Sequence, residues 1–241
     1  MNVQSGWECK MTITRLIGDI HGMVNDYKVY AIDNFKGPTI QVGDFGVGFG
    51  QSDYWHESLN DFHTRKNHRF IRGNHDNPFQ CKEMVGWIPD GTIEDDIMFI
   101  GGAWSIDNPI APPGWYRRTA GYDWWAEEEN SYEDFDRMLE DYKRVKPRIM
   151  ITHDCPASVS YSMFWGSGFL NGPVYPNRTG GWFDRFFEEH QPEFWFFGHW
   201  HKTMQSKVGN TTFVCLGELD TIDVDLNDSE QIQQAIADKI L

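Results

Sequence analysis

Short apolar runs recur along the chain, and almost every one stops at a glycine followed by a charged or amide residue. "TITRLIGDIHG" starts at Thr12, "TIQVGDFG" fills 39–46, "HRFIRGNHD" 68–76, "IMFIGGAWS" 97–105, "RIMITHDCP" 148–156, "EFWFFGHWH" 193–201 and "TTFVCLGE" 211–218. Runs this short, rich in β-branched and aromatic residues and bounded by glycine, predict buried strands, the last one closing the sheet. Between them lie stretches with apolar residues near helical spacing. "SDYWHESLNDFHTRK" (52–66) opens on Ser or Asp, "SYEDFDRMLEDYKRV" (131–145) has a capping-type start, and "GWFDRFFEEH" (181–190) is a third. A terminal "SEQIQQAIADKIL" predicts an amphipathic helix packed on the body.

Strands alternating with helices give an α/β chain with a mainly central sheet covered on both faces. No repeat or linker divides residues 1–241, so one domain is expected. Segments 106–130 and 157–180, rich in Gly, Pro and aromatics, read as long loops, the places where function concentrates.

Charge narrows the partners. A net charge of −15 disfavours a surface for stable duplex nucleic acid, which needs lysines and arginines to neutralise phosphates. The 11 tryptophans read first as packing rather than base-stacking platforms. Cys9, Cys81, Cys155 and Cys215 have neither zinc-finger nor disulfide-framework spacing. No signal-peptide pattern and no apolar run of membrane-spanning length is seen, so no membrane partner and a cytoplasmic location are expected.

The chemistry sits just beyond the strands. Asp19 and His21 follow the first, Asp44 the second, Asn74 and His75 the third, His153 and Asp154 the fifth, His199 and His201 the sixth. One acid or asparagine after a strand is an ordinary turn residue. Five strand ends carrying metal-ligand types point to one crevice at the carboxyl edge of a sheet. His199 and His201, two apart on an extended chain, share a side and can serve one site together.

"GDIHG", "GDFG", "GNHD", "THD" and "GHWH", in this order and with Asp19, Asp44 and Asn74 spaced by 25 and then 30 residues, resemble the five motifs of the calcineurin-like metallophosphoesterases over Ile13 to Val214. "GGAWSID", "WWAEEE" and "NRTGGWFDRFFEEHQPEFW" are similar to a bacterial and bacteriophage branch. The resemblance implies an α/β, four-layer α+β-type fold, a two-sheet β-sandwich flanked by helices. It also implies two divalent metal ions, manganese by preference, with iron, zinc or nickel as alternatives. Asp19, His21 and His201 are implied as ligands of the first ion, Asn74, His153 and His199 of the second, with Asp44 bridging. The implied reaction is in-line attack of metal-held hydroxide on phosphorus.

His75 is the implied acid or transition-state stabiliser, the alternative being that it only orients Asn74. Asp76 is expected to cap the following turn, the alternative being that it orients His75, and "EEE" at 127–129 to answer to helix electrostatics. Arg72 matches a phosphate-contacting arginine, or else is a strand-end surface charge. Asp44 is followed by "FGVGFG", without the arginine that protein phosphatases carry there, and the complete G-H-x-H ending is shared with diesterases. A phosphodiesterase on small nucleotides, including 2′,3′-cyclic ones, is therefore expected. The alternatives are a phosphomonoesterase, including a phosphoprotein phosphatase; less favoured are an inactive scaffold and a nuclease. Arg117, Arg118, Trp124, Trp125, Trp165, Tyr175 and Arg178 lie in the two long segments and bear on substrate choice, though packing and surface ion pairs explain each singly.

Overall fold

The computed structural model describes residues 12–51, 67–110, 116–165 and 177–240. The strands form two mixed sheets. The first contains β1 (Ile13–Ile17), β2 (Thr39–Gln41), β3 (His68–Phe70) and β10 (Thr221–Asp225), in the order β10-β1-β2-β3. The second runs β4-β5-β6-β7-β9-β8, built from β4 (Thr92–Glu94), β5 (Ile97–Ile100), β6 (Ile149–Thr152), β7 (Phe194–Phe197), β8 (Met204–Val208) and β9 (Thr211–Cys215). β1, β2 and β3 are parallel, as are β5, β6, β7 and β9.

Four longer helices follow: α1 (Tyr132–Val145), α2 (Ala157–Phe164), α3 (Arg178–Glu189) and α4 (Ser229–Ile240). Ser131 caps α1 by accepting the Asp134 N–H at 3.0 Å, as its sequence predicts.

Three apolar clusters explain the layers. Leu16, Ile40 and Ile71 of the first sheet meet Ile149, Ile151, Phe194, Phe196 and Val214 of the second, with Ile232 and Ile236 of α4 closing that interface. Trp195 and Phe197, pointing the other way from β7, pack with Phe135, Phe183 and Phe186 of the helices. Tyr27, Phe45, Phe70 and Cys81 cover the outer face of the first sheet. The unbroken apolar run of β7 is what a strand buried on both faces requires.

The two sheets with flanking helices are those the family resemblance implies, whereas strand–helix alternation alone indicates one mainly central sheet. Three strands escaped the pattern, all of them sheet edges: β4, β8 and β10. β8 alternates half-buried and exposed residues, so its apolar signal is weak. β9 consequently lies inside its sheet rather than closing it. The expected 157–180 loop is helical at both ends, in α2 and the first turn of α3, where Asn177 rather than a residue near 181 provides the cap. The helix expected over 52–66 falls outside the described residues. No described helix is long and apolar enough to cross a membrane.

Candidate metal centre

The carboxyl ends of the parallel strands in both sheets deliver the polar residues to one place. Asp19, His21, Asp44 and His201 form one group whose ligand atoms lie within 4.8 Å of one another, and Asp44, His153 and His199 form a second. Asp44 is common to both. Asn74 joins the second group, its Oδ1 being 3.1 Å from His153 Nε2. The first sheet supplies Asp19, His21, Asp44 and Asn74; the second supplies His153, His199 and His201.

Backbone geometry is unusual here. Among the described residues, eight other than glycine have positive φ, and four of them are His21, Asp44, His199 and His201. Strained backbone of this kind clusters at functional sites. Two glycines are required by close approach. A Cβ at Gly73 would lie 2.1 Å from Asp44 Oδ1, and one at Gly198 would lie 2.2 Å from Asp19 Oδ1. The G-N and G-H pairs of the sequence are therefore consequences of packing a carboxylate against the backbone.

Buried acceptors set the electrostatics. His153 Nδ1 lies 2.9 Å from the Val42 carbonyl and donates to it, which turns Nε2 toward Asp44 Oδ1 at 3.2 Å. His21 and His201 bring their Nε2 atoms to 2.9 Å, beside the Asp19 carboxylate. Burial pushes Asp44 up, yet His153 and His75 hold it well below the ordinary carboxylate range. Against a burial that lowers it, Asp44 holds His153 up at about 10. Burial takes His199 down to about 3, with His153 adding repulsion. The pocket thus concentrates lone pairs and demands a positive charge, and its imidazole, carboxylate and amide donors fit borderline divalent cations.

Supporting contacts hold the ligands. Asp19 accepts the His199 N–H, at 3.1 and 3.0 Å to its two oxygens. Asp154 accepts the Trp200 indole N–H at 3.0 Å while Trp200 stacks on Phe164, centroids 4.6 Å apart. The residue between the two histidines is thereby pinned, which sends His199 and His201 into different groups. Glu218 lies 3.7 Å from both His21 and His201.

Three expectations change. Asp76 does not cap its own turn. It is fully buried and accepts the N–H groups of Phe45, Gly46, Val47 and Gly73, tying the Asp44 loop to the Asn74 loop. Arg72 is neither surface charge nor free to grip phosphate. Its Nε donates to Asp90 at 2.7 Å, Nη1 to the carbonyls of Glu127 and Glu128, and Nη2 to Asn130, which engages four of its N–H groups. The acids at 127–129 do not serve the terminus of α1, the helix that follows them; Glu129 instead meets the first turn of α3. Glu128 is 2% exposed and bonded to Ser105, and Glu129 accepts from the backbone and hydroxyl of Thr179.

The arginine that does reach the site is Arg118. It is held by Asp107 at 2.8 Å and donates to the Asn74 carbonyl at 3.1 Å and to His75 Nε2 at 2.5 Å. His75 Nε2 is 3.9 Å from Asp44 Oδ2, and its ring stacks on Phe49. Burial takes His75 down to about 3, Arg118 contributing. With Nε2 accepting from Arg118, the neutral ring carries its proton on Nδ1. Of the other loop residues, Trp125 is buried 6.5 Å from Phe49, Arg178 pairs with Glu129, Trp165 is exposed, and Tyr175 lies outside the described residues. Arg118 is among the loop residues expected to bear on substrate choice, whereas Ser105 and Glu128 are the residues that reading the sequence missed as site components. The buried acid in "AEEEN" and the strand-end serine of "GGAWS" were their only signals.

The family model described as calcineurin-like phosphoesterase matches residues 14–203. The chain therefore belongs to the calcineurin-like phosphoesterase family, metal-dependent hydrolases of phosphate esters with a binuclear centre. Among solved structures, it is similar to the phosphopantetheinyl hydrolase of Mycobacterium tuberculosis, at 14% identity and a TM-score of 0.52, over 91% of this chain and 98% of that one. A Staphylococcus aureus protein provisionally assigned as a 5′-nucleotidase is similar at 14% identity and a TM-score of 0.50, over 88% of this chain. The present chain spans 50% of that protein's length. At this identity the likeness speaks to the fold. No curated protein matches the chain.

Proposed function

We propose that the chain is a two-metal phosphodiesterase acting on nucleotide-type substrates, 2′,3′-cyclic nucleotides among them, as a single catalytic unit. The observation that carries it is the division of the final histidine pair: His201 stands with Asp19 and His21, and His199 with Asp44 and His153. Asp19, His21 and His201 would hold one ion, Asn74, His153 and His199 the other, and Asp44 both. Manganese is the preferred occupant, with iron, zinc and nickel as alternatives. Two bound cations would supply Lewis-acid stabilisation of the phosphoryl oxygens and acidify water.

The chain's own residues do the rest. Arg118 fixes the tautomer of His75 by donating to Nε2, and its N–H groups beyond those given to Asp107, Asn74 and His75 would serve a phosphate oxygen. One guanidinium beside the centre suits the single negative charge of a diester, whereas a monoester dianion favours a bidentate clamp. The 5′-nucleotidase assignment of the Staphylococcus aureus protein represents the alternative, a phosphomonoesterase.

The test is hydrolysis by metal-stripped protein after Mn²⁺ is restored, comparing bis-p-nitrophenyl phosphate, p-nitrophenyl phosphate and 2′,3′-cyclic AMP. Faster cleavage of the diesters is expected. Preference for p-nitrophenyl phosphate would replace this reading with the monoesterase one.

A further inference from the structure

We propose that Ser105 and Glu128 are positioning residues that decide which end of the Asn74 amide faces the second ion. The inference rests on the two-ion reading above. An amide has two chemically opposite ends of nearly equal shape, and only the oxygen can ligate a cation. Asn74 Oδ1 is on the His153 side, and Asn74 Nδ2 is 3.0 Å from Ser105 Oγ.

A serine hydroxyl alone cannot enforce that choice, because it donates as readily as it accepts. Glu128, ionised above about pH 7, removes the ambiguity. Its Oε2 takes the Ser105 hydroxyl proton at 2.5 Å, and its Oε1 accepts the Ser105 backbone N–H at 2.9 Å. With its one proton committed, Ser105 Oγ offers Asn74 only lone pairs. The amide must then turn its N–H toward Ser105 and its oxygen toward the ion position. Glu128, Ser105 and Asn74 are 2%, 1% and 2% exposed, so water does not compete for these bonds. A carboxylate needed only to anchor the loop would be satisfied by the backbone N–H; the hydroxyl bond extends the chain to the ligand.

Arg72 holds the other end of the circuit. Its guanidinium binds the carbonyls of Glu127 and Glu128, and its own carbonyl accepts the Gly102 N–H at 2.8 Å. Residues 72–74 at the end of β3 thus carry the ligand and also grip both segments that orient it. The buried arginine, the buried glutamate and the serine become parts of one device.

The experiment is titration of Mn²⁺ into the metal-stripped full chain at about pH 8, where Glu128 is a carboxylate, by calorimetry, with bound metal counted by elemental analysis. Wild type should take up two ions. Ser105→Ala should weaken one of the two by about 10- to 100-fold, the effect typical of losing a partner of a metal ligand, and leave the other unchanged. Asn74→Asp has two equivalent oxygens, so adding Ser105→Ala to it should cost no further affinity. Should Ser105→Ala fail to fold by circular dichroism, Glu128→Gln serves the same cycle, since its amide can donate to Ser105 and free the hydroxyl proton to face Asn74.

Unaltered binding of both ions in the serine or glutamine variant would overturn the inference and leave the two-ion reading standing. An equal loss in the Asn74→Asp background would overturn it too, by making Ser105 a support for the loop rather than for the amide. Fewer than two ions in wild type would sink the two-ion reading, and this inference with it.

Discussion

Asp44 is the single side chain shared by both ligand groups, and its backbone sits in the left-handed region to put it there. Asp44→Asn removes charge from both ion positions at once. Turnover should fall at least about a hundredfold, in line with removal of a principal electrostatic group in other enzymes. Assays with excess Mn²⁺ check this, and near-normal activity would end the bridging assignment. His75→Ala should keep both ions by elemental analysis and lose rate, most on substrates with poor leaving groups; loss of an ion instead would make His75 a ligand or its support. Each residue of the ligand groups was readable from sequence because it directly follows an apolar strand. The supporting residues were not, because their partners are remote: Ser105 and Glu128 are 23 residues apart, and Arg72 and Asn130 are 58 apart. Sequence could place Arg72 beside Asn74, but which way its guanidinium turned depended on the segment folded over it.

β7 shows what an element can and cannot announce. Its four apolar residues alternate between the two cores, Phe194 and Phe196 inward to the first sheet, Trp195 and Phe197 outward to the helices. Such a run betrays burial on both faces, so the strand and its ligand-bearing end were legible. An edge strand such as β8 has one face and one side in solvent, and a half-polar stretch looks like a loop. Phe196→Ala empties space between the sheets, since that side chain is fully buried. It should cost about 3–5 kcal/mol of stability by urea titration. Loss below about 1 kcal/mol would mean that the two sheets are less tightly joined than their shared core indicates.

Across the whole molecule, the ion positions straddle the seam between the sheets, so cations that bind there bind only the folded chain. Melting temperature should rise with Mn²⁺ concentration, by the equivalent of about 2.7 kcal/mol at a hundred times the dissociation constant, and fall after chelation. Scanning calorimetry over an Mn²⁺ series checks it. The protein should also respond to pH through Glu128, whose burial lifts its carboxyl from 4.5 to about 7. Between those values the folded chain holds a proton that the unfolded chain has released, so stability falls as pH rises through the window and levels above it. Glu128→Gln should flatten that part of the profile, and the difference between its melting temperature and that of wild type from pH 5 to pH 8 measures it. The charge of −15 already forecast a poor surface for duplex nucleic acid, but not how acids would be shared between solvent and interior.

The left-handed corners at His21, Asp44, His199 and His201 carry a consequence for any redesign of the centre. Asn, Asp, His and Gly are the residues that tolerate such backbone at low strain. Three of the four are oxygen or nitrogen donors, and none offers sulfur. A thiolate exchanged into these corners would meet the torsional penalty before it met a metal. The bends of the main chain thus preselect the ligand alphabet at these four corners, favouring oxygen and nitrogen donors there, while Asp19, Asn74 and His153 stand on ordinary backbone.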